Sequence, residues 1–224
     1  RFLSVADNDD GSKNDDNNTN SVCEMMDGGN KSYRSTHNQN LLHAPKFSDY
    51  VAAGTVDIDF CVAVDFTSSN GDPRIPGTQH YSRDGMMNDY EEAIVAIGET
   101  ISKYSKDQDY TLWGFGAKFE GVVRHIFQCG DSSTAHGVDG VLDAYRKVWE
   151  TDLIMSGPTI LHSVLKAAAA RAKKMYNSPP TKTNMKYCVL MILTDGIVAD
   201  LESMKQLVRS YRDLQIPLSI IVIG

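Results

Sequence analysis

From residue 46 onward the chain alternates between two hydrophobic patterns. Phe60-Cys61-Val62-Ala63-Val64 is an unbroken apolar run, which predicts a parallel strand buried on both faces rather than a half-exposed one. Residues 187–193 and 218–223 read the same way, the second opened by Pro217, and Tyr110-Thr111-Leu112-Trp113 gives a fourth strand, broken by Gly114-Phe115-Gly116. Between these runs the period changes. Tyr90, Ile94, Ile97, Ile101 and Tyr104 fall at helical spacing behind Asn88 and Glu91, which have the spacing of a capping box. Val141, Leu142, Tyr145 and Val148 share a face of a second helix over residues 138–149. Thr159 is placed to cap a third, running to Met175 with Leu161, Leu165, Ala168, Ala172 and Met175 inward. Asp200 opens a fourth, whose Leu201, Met204, Val208 and Tyr211 lie on one side. The run from Val122 to Phe127 predicts a single antiparallel edge strand. Apolar strands alternating with amphipathic helices predict an α/β fold: a doubly wound, mostly parallel sheet flanked by helices and joined by right-handed crossovers.

Residues 1–45 break this pattern. Asp9-Asp10-Gly11-Ser12, Asp15-Asp16-Asn17-Asn18-Thr19-Asn20 and Gly28-Gly29-Asn30 offer too few apolar groups to offset the entropy of ordering, so a disordered acidic and polar linker is expected there. Its carboxylates do not complete a calcium-loop pattern. With 224 residues and 42% hydrophobic content, one domain plus a tail is expected. The net charge of -7 argues against direct binding to nucleic acid or anionic lipid. No apolar run nears the roughly 18 residues of a membrane span. No secretory leader opens the chain, and the lack of an initiating Met predicts a piece of something longer.

Cys23, Cys61, Cys129 and Cys188 show no paired spacing, so neither a disulfide framework nor a zinc site is expected. Cys61 and Cys188 lie inside strand runs, as small hydrophobes. A reducing compartment follows, in which the sequons at Asn17 and Asn30 stay idle. The six histidines are scattered and read as surface or structural groups. Arg171-Ala172-Lys173-Lys174 reads as a solvated helix end. Gly114 and Gly116 suggest a strand bend or a close backbone contact rather than a nucleotide loop.

The candidate chemistry sits at strand ends. Asp65, Thr67 and Ser69 place a carboxylate and two hydroxyls at alternate positions just after the first buried strand. Asp195 ends another such strand, and Thr159 lies in a loop leading into the helix between them. Ligands of doubly wound sheets bind at this rim, where strand order reverses. Oxygen-only donors suit a hard divalent cation, Mg²⁺ or Mn²⁺. Two carboxylates and three neutral hydroxyls leave room for an incoming Asp, Glu or C-terminal carboxylate. No general base accompanies the set, and an aspartyl phosphotransferase would want a second Asp where Thr67 stands, so a binding module rather than an enzyme is expected.

DFTSS at residues 65–69, GPT at 157–159 and TDG at 194–196 resemble the metal-ion-dependent adhesion site of the von Willebrand factor type A domain. The fuller string VAVDFTSSNGDPR with His80-Tyr81, together with WGFGA, GVDGVLDAYR and ILTDG, resembles the copines over roughly residues 46–224. The resemblance implies that Asp65, Thr67, Ser69, Thr159 and Asp195 hold the ion, which captures an intracellular protein with an exposed acidic residue. It also implies calcium-dependent phospholipid binding through C2 modules outside this chain. The full-length protein would then be cytoplasmic, recruited to the plasma membrane when calcium rises, with no nucleic-acid partner. Its other implication is a substrate-binding domain of a copine-like RING ubiquitin ligase. Ile160 stands where copines usually have Asn, and the final strand and helix normal for such domains are expected to be missing.

Overall fold

The computed structural model describes residues 46–83, 85–176, 184–196 and 198–224. The linker expected over residues 1–45 lies outside the described residues. A short helix, α1 (Phe47–Ala52), precedes the central strand β1 (Val56–Asp65), followed by α2 (Asp89–Ser102) and β2 (Asp109–Phe115). Four short strands come next: β3 (Ala117–Phe119), β4 (Val122–Arg124), β5 (Phe127–Gln128) and β6 (Ala135–His136). Then follow α3 (Gly137–Val148), β7 (Ile154–Met155), α4 (His162–Tyr176), β8 (Met185–Leu193), α5 (Leu201–Asp213) and β9 (Leu218–Ile223).

The main sheet runs β5-β2-β1-β8-β9, with β6 also on β2; β2, β1, β8 and β9 are parallel to their neighbours, and β5 and β6 antiparallel to β2. This is the expected doubly wound α/β sheet, with β9 at an edge among the described strands. β1 has two halves. Val56 and Ile58 alternate with half-buried Asp57 and Asp59, and then every residue from Phe60 to Asp65 is buried. Period two along β1 divides the core: Phe60, Val62 and Val64 pack with α2 and α3, while Cys61 and Ala63 pack with α4 and α5. Burying both faces is what makes the run continuously apolar.

Several local expectations are corrected. The run from Val122 to Phe127 is two strands rather than one: β4 pairs with β3 in a separate β4-β3-β7 sheet, and β5 pairs with β2. Leu201 is exposed, so the buried face of α5 centres on Met204. Arg171 is not a solvated helix end, because its Nε and Nη2 donate to the two oxygens of Asp59 on β1, each at 2.9 Å. Among the described residues no helix is long and apolar enough to cross a membrane.

The capping of α2 agrees with the sequence: Asn88 Oδ1 accepts from Glu91 N at 2.9 Å, and Glu91 Oε2 accepts from Asn88 N at 3.0 Å. That of α4 does not. Its start is held by Asp200, whose two carboxylate oxygens accept from Leu161 N at 3.0 Å and His162 N at 2.9 Å. Asp200 also sits just before α5 without capping it, so one carboxylate ties two helices together beside the rim. Asp200→Ala is expected to cost about 1–2 kcal/mol, read in a thermal melt as roughly 2–4 °C of Tm per kcal/mol. An unchanged Tm would show that the α4 amides find other partners.

Candidate metal centre

The strand order reverses between β1 and β8. From β1 the chain passes outward to β2 on one side, then returns to lay β8 and β9 on the other. A crevice opens at the carboxyl ends of such a pair, and Asp65 is the last residue of β1 while Thr194 and Asp195 directly follow β8.

Asp65 is fully buried. Its Oδ1 accepts from Thr67 N at 2.8 Å and its Oδ2 from Thr194 Oγ1 at 2.6 Å. The chain then turns through a 3-10 segment, Ser68–Asn70, which brings Thr67 Oγ1 and Ser69 Oγ to 2.9 Å. Ser156 anchors the turn from the neighbouring loop, its carbonyl accepting from Ser68 N at 2.6 Å. Three residues further on, Thr159 is buried and donates through Oγ1 to Thr67 Oγ1 at 3.2 Å. Thr159 therefore faces the rim and does not cap α4.

Asp195 joins this group through its charge. Burial pushes the Asp65 carboxyl above its ordinary range; hydrogen bonds from Thr194 and Thr67 pull it back, and the nearby charge of Asp195 pushes it up again. Asp195 Oδ1 is itself buried and has no hydrogen-bond partner among the described residues. An orphaned buried carboxylate oxygen beside a second buried carboxylate is a position where a cation or an ordered water would supply the missing partner. In an octahedral site with 2.0–2.1 Å bonds, adjacent ligands stand roughly 3 Å apart. The hydroxyl separations of 2.9 and 3.2 Å have that spacing. The donor set fits Mg²⁺ or Mn²⁺.

Sequence reasoning missed the residues that hold the ligands. Thr194 was read only as part of a motif, yet its hydroxyl is the shortest contact to Asp65. Asn70 donates through Nδ2 to both the carbonyl and Oγ1 of Thr67, each at 3.2 Å, and Tyr90 OH donates to Asn70 Oδ1. Gly116, with φ of +78°, leaves no room for a side chain: an added Cβ would stand 2.2 Å from Thr67 Cγ2. This is the close contact that the Gly114-Phe115-Gly116 spacing suggested.

His80 supports the end of β1 from behind. Its ring stacks on Phe66 at 5.1 Å, and Nε2 lies 2.9 Å from the carbonyl oxygen of Asp65. A carbonyl only accepts, so Nε2 carries the proton, and Nδ1 accepts from Tyr145 OH at 2.7 Å. Tyr145 OH in turn accepts from Asn88 Nδ2 at 3.1 Å. Burial pushes the His80 pKa down to about 4, which keeps the ring neutral. The relay continues through the Asn88–Glu91 box to Arg146, whose Nε donates to Glu91 Oε1 at 2.6 Å. The capping box was visible in the sequence; its onward partners were not, because Tyr145 is 57 residues from Asn88.

The switch-point geometry and the all-oxygen rim define the class: a von Willebrand factor A-like domain. The particular family follows from comparison with known proteins. The chain belongs to the copine family, since the family model described as Copine matches residues 78–224. That match includes Thr159 and Asp195 and begins after Asp65, Thr67 and Ser69. Protein BONZAI 2 of Arabidopsis thaliana is 38% identical over 183 residues, 80% of this chain and 30% of that protein. Protein BONZAI 1 of the same plant is 37% identical over the same shares. Copine-E of Dictyostelium discoideum is 36% identical over 186 residues, 82% of this chain and 31% of that protein. The chain thus spans about 30% of the length of these relatives.

Tyr145→Phe leaves His80 Nδ1 buried without a donor and is expected to destabilise the domain by about 1–3 kcal/mol. Urea denaturation measures it; a change within experimental error would mean the relay carries no net stability.

Proposed function

We propose that this domain is a protein-interaction module that captures an acidic residue of a partner through a divalent cation held at the carboxyl rim. The observation that carries this reading is the meeting of the Thr67, Ser69 and Thr159 hydroxyls, at 2.9 and 3.2 Å, beside the orphaned Oδ1 of Asp195. Asp65, Thr67, Ser69, Thr159 and Asp195 hold the ion. A bound Mg²⁺ or Mn²⁺ supplies an open position at which a foreign carboxylate completes the coordination. Asp65 and Asp195 together balance a doubly charged ion, so an arriving carboxylate meets little surplus negative charge. Thr194, Asn70 and Gly116 keep the ligands in place while exchange occurs at the open side.

The module is not an enzyme on this reading. His80, the buried histidine behind the rim, has both ring nitrogens engaged by Asp65 and Tyr145, so it offers no free base for proton transfer. In the full-length protein, C2 modules outside this chain bind phospholipid when calcium rises. The rim then works at the cytoplasmic face of the plasma membrane, capturing an intracellular protein.

Millimolar Mg²⁺ or Mn²⁺ is expected to raise Tm, since a ligand at 100 times its Kd stabilises by about 2.7 kcal/mol. Asp195→Ala gives a crossed result. Without metal its Tm equals or exceeds that of the wild type, because a charge that opposes Asp65 is gone; with metal the shift disappears, along with metal-dependent binding of acidic peptides. No metal-induced shift in the wild type would sink the proposal, as would a shift that survives Asp195→Ala. Turnover of phosphate esters should be absent; metal-dependent turnover lost in Asp65→Asn would overturn the non-enzymatic reading.

A further inference from the structure

A second group of metal-ligating side chains lies far from the rim. Asp59 and Cys61 are two apart on β1, and Cys188 pairs directly with Asp59 across the β1–β8 ladder. Alternation and direct pairing put all three on one face of the sheet, the face covered by α4, where Cys61 and Cys188 pack. Asp59 stands six positions before Asp65 and Cys61 four, roughly 20 and 13 Å at 3.3 Å per residue, so this group shares no ligand with the rim.

The two sulfurs stand 4.0 Å apart, and an Asp59 oxygen lies within 4.8 Å of both. Two thiolates bound to one tetrahedral zinc at 2.3 Å are separated by roughly 3.8 Å, so the sulfurs already have nearly the required spacing. The cysteines are fully buried. Of the three, Asp59 alone lines a cleft of about 280 Å³, together with Arg171, Met175, Lys186, Asp57 and Asp107. Arg171 holds both Asp59 oxygens at 2.9 Å and so orients the carboxylate, as outer partners of metal ligands do. Charge also balances: two thiolates neutralise a divalent ion, and Asp59 is neutralised by Arg171.

We propose that Asp59, Cys61 and Cys188 form a second cation site, selective for a thiophilic divalent ion such as Zn²⁺. Thiolate ligands prefer such ions to Mg²⁺. Each thiol that becomes a ligand gives up its proton, so two protons pass to solvent as two metal–sulfur bonds form. The ion would join β1 to β8 beneath α4.

The test is a Cd²⁺ titration of the full chain, reduced with a phosphine and kept in excess Mg²⁺ so that the rim is filled by a hard ion. Thiolate-to-cadmium charge-transfer absorption is expected to saturate at one ion per chain. It should disappear in both Cys61→Ser and Cys188→Ser, and persist in Cys129→Ser and Cys23→Ser. No charge-transfer band overturns the proposal, as does a band that survives either of the first two substitutions or is lost with Cys23 or Cys129. Should the serine variants fail to fold, X-ray absorption on the wild-type zinc complex decides: two sulfur ligands support the site, and a shell of oxygen and nitrogen alone refutes it.

Discussion

The constraint on which this domain depends is a carboxylate with no exposed surface at the end of its central strand. A charge buried there is costly unless groups on every side answer it. Asp65 is answered by a backbone amide two residues ahead and by a hydroxyl on the adjacent strand end. Its own carbonyl is engaged by a histidine that burial keeps neutral. What these contacts leave unanswered is the negative charge shared with Asp195, which the proposed cation would balance.

Holding such a site open requires support that does not itself coordinate. The Asn70–Tyr90 pair positions Thr67, and the glycine at 116 lets the β2 end approach it. His80, Tyr145, Asn88 and Glu91 are all buried and consecutively hydrogen-bonded, which couples the last residue of β1 to α2 and α3. Buried polar chains of this kind specify one arrangement because a member that loses its partner is left unsatisfied in a dry interior. On the opposite face Asp200 links the starts of α4 and α5, and the loops that carry Thr159 and Asp195 are fastened by this carboxylate and by Ala199 N, which donates to the Thr159 carbonyl at 2.9 Å.

The two ends of β1 differ in chemistry. At its carboxyl end the donors are oxygens, suited to hard ions. Near its amino end, under α4, two sulfurs and a carboxylate meet beside a cleft. The same alternation that divides the core between the two helical layers puts Asp59 and Cys61 on one side. Both groups share the scaffold of β1 and β8, whose register sets Asp59 opposite Cys188.

Much of the architecture was legible in the chain alone. Burial on both faces writes itself as unbroken apolar runs, and packing on one face writes itself as helical periodicity, so β1, β8, β9 and the four main helices were placed nearly where they occur. The gathering of Asp65, Thr67, Ser69, Thr159 and Asp195 at one rim was also legible, since each lies at or just beyond the end of a buried strand or in the loop between them. Tertiary structure alone decided the rest. Nothing local tells that Val122–Phe127 divides between two sheets, that Asp200 rather than Thr159 secures α4, or that Arg171 reaches back to Asp59. Nor does cysteine spacing reveal a sulfur pair formed by residues 127 positions apart. Periodicity records which face of an element is buried, but partners across the fold depend on strand order and register, which no single segment contains.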